Sequence, residues 1–246
     1  MEWSKIKNIL IIALALTNLL FIFLIISADS KEPDTDSPVL LSETEAVLKN
    51  NGIEISAEIP SVEKEISVLT LTYDGDNGTF FYTGSVKLSP LTEEAAIKTA
   101  DDFVENLGLP SPDGNEIRRG SCYLSEEIPD TYVVTYGSYY NNCRLEDSYL
   151  LCYVTEDGVV RMKKNHASAE TSSKSRPKTV PAATALLKYM NQIKTADSNA
   201  SAEITDITIV YKTDAPYGGN ITSDTAFPTW KITSSDGAVS YIPAYN

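Results

Sequence analysis

Tyr149–Lys163 reads YLLCYVTEDGVVRMK. Tyr149 to Thr155 is rich in β-branched and aromatic residues and predicts a strand. Asp157-Gly158 then predicts a type I′ turn, because Asp and Gly accept the positive φ that a tight hairpin requires. Val159 to Lys163 returns as the partner strand. The same grammar recurs near the C-terminus, where Phe227 to Thr233 is followed by Asp236-Gly237 and Val239 to Ile242. Leu151, Tyr153 and Val154 correspond to Trp230, Ile232 and Thr233 in the same order before the turn.

Working outward, a helix is expected ahead of each hairpin. Thr92 is a good N-cap, Glu93-Glu94 suit the positive end of the helix dipole, and Gly108 is a stop. Ala96, Ile97, Ala100, Phe103, Val104 and Leu107 fall on one face. Val180-Pro181 opens the second helix, with Ala185, Leu186, Tyr189, Met190 and Ile193 on one face. Ile204 to Tyr211 and Tyr132 to Tyr136 read as further strands. Upstream, Ser42 and Glu45 form a capping box for a short helix that Asn50-Asn51-Gly52 ends. Ile53–Ile55 and Val68–Tyr73 alternate as strands, and Asp74-Gly75-Asp76-Asn77-Gly78 reads as a hairpin turn into Thr79–Tyr82. The expected fold is therefore α+β, with two tandem units, each a helix packed on an antiparallel sheet. A first α+β region spans 42–167, a serine-rich joint 168–179, and a second unit 180–246.

The N-terminus is of another kind. Ile9 to Ile26, ILIIALALTNLLFIFLII, carries no charge. At about 1.5 Å per residue it reaches roughly 27 Å, close to the thickness of a bilayer core. It places a transmembrane helix over residues 9–27, after a cytoplasmic tail of residues 1–8 and before a charged tether at 28–41. Lys5 and Lys7 precede it, whereas Asp29, Glu32, Asp34 and Asp36 follow, so the N-terminus is expected in the cytoplasm and the body outside. Ser27-Ala28 after Ile26 is a poor cleavage site, which favours a retained anchor over a signal peptide. Trp3 suits the headgroup region. Asn18 in hydrocarbon favours a bond to a neighbouring helix, and Ala13 and Thr17 place small side chains on one face. These four are the candidate partner-binding residues.

Composition limits what the body can do. The 246 residues carry 34 acids against 20 bases, a formal net charge of −14, which excludes attraction to a nucleic-acid backbone. Three cysteines, Cys122, Cys143 and Cys152, lack metal or redox spacing, and their plain reading is as small buried hydrophobes. His166 is the sole histidine and reads as a surface-loop residue. Asp74–Gly78 superficially resembles a calcium loop, but its glycine falls one position early and Ser85 stands where a Glu is needed. No nucleophile elbow, zinc motif or phosphate loop is present. No catalytic, cofactor or metal residue is therefore expected, no small-molecule ligand is indicated, and the body reads as a protein-binding module.

The opening Met1-Glu2-Trp3-Ser4-Lys5-Ile6-Lys7-Asn8-Ile9, with Asn18 in the apolar run, resembles the start of the YycI family, roughly M-[DE]-W-[ST]-K-x-K-x-I. Leu48 to Pro60, Tyr149 to Met162, Pro228-Thr229-Trp230-Lys231-Ile232 and Tyr241 to Tyr245 resemble later family segments in order. The short ending, the cysteines and the joint depart from that pattern. The resemblance implies a membrane-anchored accessory protein that associates with a YycH-like partner and with the sensor histidine kinase WalK (YycG). In that family the membrane helix contributes to kinase contact, and the response governs cell-wall metabolism. Two other readings stay open from the residues: an exported PepSY-like inhibitory module acting on a peptidase or the cell wall, and an exported hydrolase using two carboxylates.

Overall fold

The computed structural model describes residues 38–60, 65–84, 86–109, 112–172, 176–214 and 222–245. Residues 9–27, where a membrane span is expected, lie outside these. Among the described residues no helix is long and apolar enough to cross a membrane. The described body is α+β, with a mostly sheet framework and three helices: α1 (Pro38–Asn50), α2 (Glu93–Asn106) and α3 (Ala182–Ala196).

The strands in chain order are β1 (Ile53–Ile55), β2 (Leu69–Tyr73), β3 (Gly78–Phe81), β4 (Asn115–Leu124), β5 (Tyr132–Tyr140), β6 (Cys143–Thr155), β7 (Gly158–Asn165), β8 (Ala167–Thr171), β9 (Ala202–Thr213), β10 (Ser223–Ser234) and β11 (Val239–Pro243). Strands β4 to β7 form an antiparallel meander, and β9, β10 and β11 form another. The two meet where β6 pairs parallel with β9 at Arg144↔Val210 and Leu145↔Tyr211.

Both expected Asp-Gly hairpins form, with Gly158 at φ 93° and Gly237 at φ 83°. Thr92 caps α2 by accepting the Ala95 N–H at 3.2 Å. The apolar faces read for α2 and α3 are the ones that pack. Helix α1 starts at Pro38, not at Ser42, which stands inside the helix. Pro38 suits a first helical position, since its missing N–H would have no partner there in any case.

The expected β2–β3 hairpin does not form. Strand β2 pairs with β8 and β10, and β3 pairs with β7. Because β7 runs into β8 through His166, the chain from β2 to β3 lies antiparallel along that one long strand. Tyr73 pairs with Ala167 and Gly78 with Lys164, so five steps on one side oppose three on the other. The Asp74–Asn77 segment is thus a bulge in a strand pair, where extra residues are absorbed by a local kink. The same arrangement makes a strand, β8, of Ala167–Thr171, which takes in Ser168–Thr171, the opening of the segment read as a polar joint.

This crossing also closes the sheet. Strand β6 pairs with β9, β9 with β10, β10 with β2, β2 with β8, and β8 continues back into β7 beside β6. Leu69, Leu71, Leu145, Ala167, Ala169, Tyr211 and Ala226 fill the ring, three of them alanines, as a narrow closed sheet requires. Helix α2 packs beside it over Val134, Tyr136, Leu150, Cys152 and Met162. Helices α1 and α3 pack around Trp230, Ile232, Ile204 and Ile242. Trp230 is fully buried, and its indole N–H donates to the Val180 carbonyl at 2.8 Å. All three clusters lie on one face of the sheet, so among the described residues the other face carries no helix.

Candidate interaction surface

Alternation along each strand sends every second side chain to the helix-free face. Cross-strand pairing lines these up into rows. One row runs Tyr123 (β4), Val133 (β5), Tyr153 (β6), Arg161 (β7) and Phe81 (β3). Its ends are open, with Tyr123 47% and Phe81 77% exposed, while Val133 and Tyr153 are buried. The Arg161 guanidinium lies 3.6 Å from the centroid of the Tyr153 ring, a cation–π stack that covers the ring. Arg161 Nη2 donates to Glu127 Oε2 at 2.7 Å, and Lys163 Nζ stands 3.7 Å from Glu127 Oε1. The bond from Arg161, with the charge of Lys163, holds the Glu127 carboxyl below the usual range. Arg161 Nε is buried and has no acceptor.

A second group follows farther along the same face. Arg118 sits 4.6 Å over Tyr139 and binds Glu116. Arg144, paired across from Tyr139, places Nε 3.5 Å from Glu146 Oε2, and neither atom makes a hydrogen bond. Glu146 Oε1 instead accepts from Lys231 Nζ at 2.6 Å and from the Tyr241 hydroxyl at 2.9 Å. Burial and that acceptor push the Tyr241 phenol well above its ordinary value. Asp147 accepts from the Thr213 N–H and hydroxyl, both at 2.9 Å, and pairs with Lys212. These links span the junction between β6 and β9.

The helix side holds a different kind of charge group, where β7 meets β8. His166 is 2% exposed, not the surface-loop residue that its sequence neighbourhood indicated. It is buried because the Asp74–Asn77 bulge folds over it. Its Nδ1 stands 3.0 Å from Asp74 Oδ2. Asn77 clasps its backbone, donating to the His166 carbonyl at 3.0 Å and accepting its N–H at 2.9 Å. Lys164 binds Asp74 at 3.0 Å and Asp76 at 2.7 Å. Burial lowers the His166 pKa below the ordinary histidine value, against the pull of Asp74. Burial also works against the Lys164 charge, but its bonds to Asp76 and Asp74 win and raise its pKa.

The four residues singled out from sequence, Trp3, Ala13, Thr17 and Asn18, all lie outside the described residues. The surface rows were not read in advance. Their signal was the alternation of Arg161 and Lys163 about Met162, which places two cations on the face opposite the core. The three cysteines carry thiols rather than disulfides: Cys152 is buried, Cys122 and Cys143 half-buried. Burial pushes the Cys152 thiol up to about 12, so it is inert as a nucleophile. Among the described residues no group of three or more His, Cys, Asp or Glu could hold a metal ion.

Fold and surface together define a class: an α+β protein with one sheet closed on itself, whose helix-free face carries paired charges beside aromatic rings. The chain belongs to the YycI protein family, which matches residues 35–245. The family consists of regulatory accessory proteins of a two-component system. A search of curated proteins finds no match. Among solved structures, the crystal structure of an uncharacterized protein from Eubacterium rectale is similar at 12% identity, over 87% of this chain and 79% of that one, with a TM-score of 0.39.

Proposed function

We propose that this protein is a membrane-anchored accessory subunit that tunes a sensor histidine kinase of a cell-wall-controlling system by contact rather than by catalysis. The family match carries the reading, since it covers the body and joins it to a two-component pathway. The apolar run Ile9–Ile26 supplies the means of reaching a kinase in the same bilayer. In this reading the N-terminus is cytoplasmic and the body is extracytoplasmic. The span packs beside the kinase's membrane helices, and the body meets the kinase's exported domain and a YycH-like partner.

Asn18 is the polar group of the span and contributes an interhelical bond of about 0.5–2 kcal/mol. Each 1.4 kcal/mol is a factor of about ten in an equilibrium, enough to bias a kinase poised between two helix arrangements. Trp3 fixes depth at the headgroups, and Ala13 and Thr17 allow close approach. The test replaces residues 9–26 with an unrelated apolar span and measures kinase autophosphorylation and co-purification from membranes. Both should fall, and Asn18→Leu alone should weaken them in part. Unchanged output with the foreign span would refute contact at membrane level. Recovery of the wild-type chain from the cytosol would refute the anchor.

A further inference from the structure

We propose that Arg161, Lys163 and Tyr153 form a binding site for a carboxylate on an acidic peptide segment of a partner protein, and that Glu127 of this chain occupies it in the partner's absence. The proposal concerns a surface of the body and does not rest on the kinase being the partner.

The first support is how Glu127 is delivered. The β4–β5 connection, residues 125–131, is closed at its neck by the Ser125 N–H donating to the Thr131 carbonyl at 2.7 Å. The Ser125 hydroxyl accepts the N–H groups of Glu127 and Ile128 at 3.2 and 3.1 Å. This strap holds Glu127 over β7, two strands from its own hairpin partner β5. The Glu127 side chain is 60% exposed, whereas that of Arg161 is 16% exposed. The acid can swing into water at little cost, but the cation is fixed on the Tyr153 ring.

The second support is incomplete use of the guanidinium. A carboxylate can meet an arginine with two parallel bonds, and such pairs are the stronger ones. Glu127 takes only Nη2, and Nε is left buried without an acceptor. A buried donor without an acceptor is costly and rare in native proteins. A peptide carboxylate that met Nε and Nη2 together would satisfy both, with Lys163 beside it.

The third support is the surroundings. Tyr123 and Phe81, both exposed, bracket the site in the same row. An acidic residue flanked by aliphatic or aromatic ones therefore fits, with apolar contact on either side of the charge. In a chain of net charge −14, most of the surface repels such a segment, so attraction is confined to cationic positions such as these.

The strap itself shows what the site accepts, so its sequence is the probe: the labelled peptide Ser-Glu-Glu-Ile-Pro-Asp, matching residues 125–130. Binding is read by fluorescence anisotropy at low salt, with the full chain in uncharged detergent. Removing an exposed competing ion pair by Glu127→Gln should tighten binding roughly two- to fivefold. Arg161→Lys keeps the charge but loses the fork, and should weaken binding in the Glu127→Gln background. Lys163→Gln, at a less buried position, should weaken it without disturbing the fold. A peptide with its acids replaced by amides should not bind. Equal affinity of wild type and Glu127→Gln, equal binding of the amide peptide, or no effect of either cation substitution would each overturn the proposal. Kinase output does not enter the readout, so failure here leaves the proposed function standing, and the reverse.

Discussion

Strand β7 presents its cations to two different environments within four residues. Arg161 and Lys163 point to the helix-free face, where Glu127 meets them from a surface strap. Lys164 points inward, with a side chain only 5% exposed, and meets Asp74 beneath the bulge over His166. The residue types are alike, yet the two contacts do different work. Inside, both partners are shielded from water, so removing one strands the other. Outside, water can replace either partner, and the contact is free to be exchanged. Burial, more than charge, separates a structural clasp from a docking site.

The inner contact gives the largest expected effect. Lys164→Met should destabilise the fold by about 3–5 kcal/mol, because Asp74 would keep its burial without its cation. Urea unfolding followed by tyrosine and tryptophan fluorescence would measure this. A change as small as that of a surface pair would erase the distinction drawn above. Asn77→Ala comes next. It removes both side-chain bonds to the His166 backbone and should cost about 1–3 kcal/mol, because the part-buried His166 N–H loses its acceptor while the carbonyl keeps only the Asp74 N–H. Asn77→Asp keeps the acceptor for the His166 N–H and should recover part of that loss.

Local chemistry carried much of the fold into the sequence. The two Asp-Gly turns, the Thr92 cap and the apolar faces of α2 and α3 follow from residues within a few positions of one another. What escaped depends on partners distant in sequence. Asp74–Gly78 has every mark of a hairpin turn, and only the continuity of β7 into β8 makes it a bulge. Ser168–Thr171 reads as the start of a polar joint because the ring it lines is too narrow for groups larger than Ala169 and its neighbour Ala167. The expected correspondence of Leu151 and Tyr153 with Trp230 and Ile232 also breaks. Trp230 and Ile232 face the helices, whereas Tyr153 lies on the other side of the sheet. A displacement of one residue in a strand exchanges its faces, and no composition signal marks it. The interaction surface was hidden for the same reason, since its rows exist only once five strands are in register. The burial of His166 comes from residues about ninety positions earlier in the chain, so its own sequence neighbourhood does not show it.

The clasp also predicts a pH dependence, smaller than the two effects above. Burial lowers the His166 pKa relative to the unfolded chain, where it is about 6.5. Between the folded and unfolded values the unfolded chain binds more protons, so stability falls as pH drops below about 6.5 and the loss is complete below the folded value. Asp74, Asp76 and Lys164 face the same ring and set how large the loss is. Thermal unfolding at pH 7.5 and 5.5 should show a decrease for wild type that His166→Gln reduces. An identical decrease in both proteins would place the titration elsewhere.

The smallest expected effect is the most informative about the outer face. Glu127→Gln should leave the melting temperature unchanged within error, because an exposed ion pair on a strap contributes little to folding. Tyr153 stays covered by Arg161 whether or not Glu127 is present, since the stack is set by cross-strand pairing of β6 with β7. Hydrogen exchange at residues 125–131 should rise in this variant while the β6 and β7 amides keep their protection. Should the amides of β7 also lose protection, Glu127 would be a structural tie like Lys164, and the outer contact would not be free to exchange one carboxylate for another.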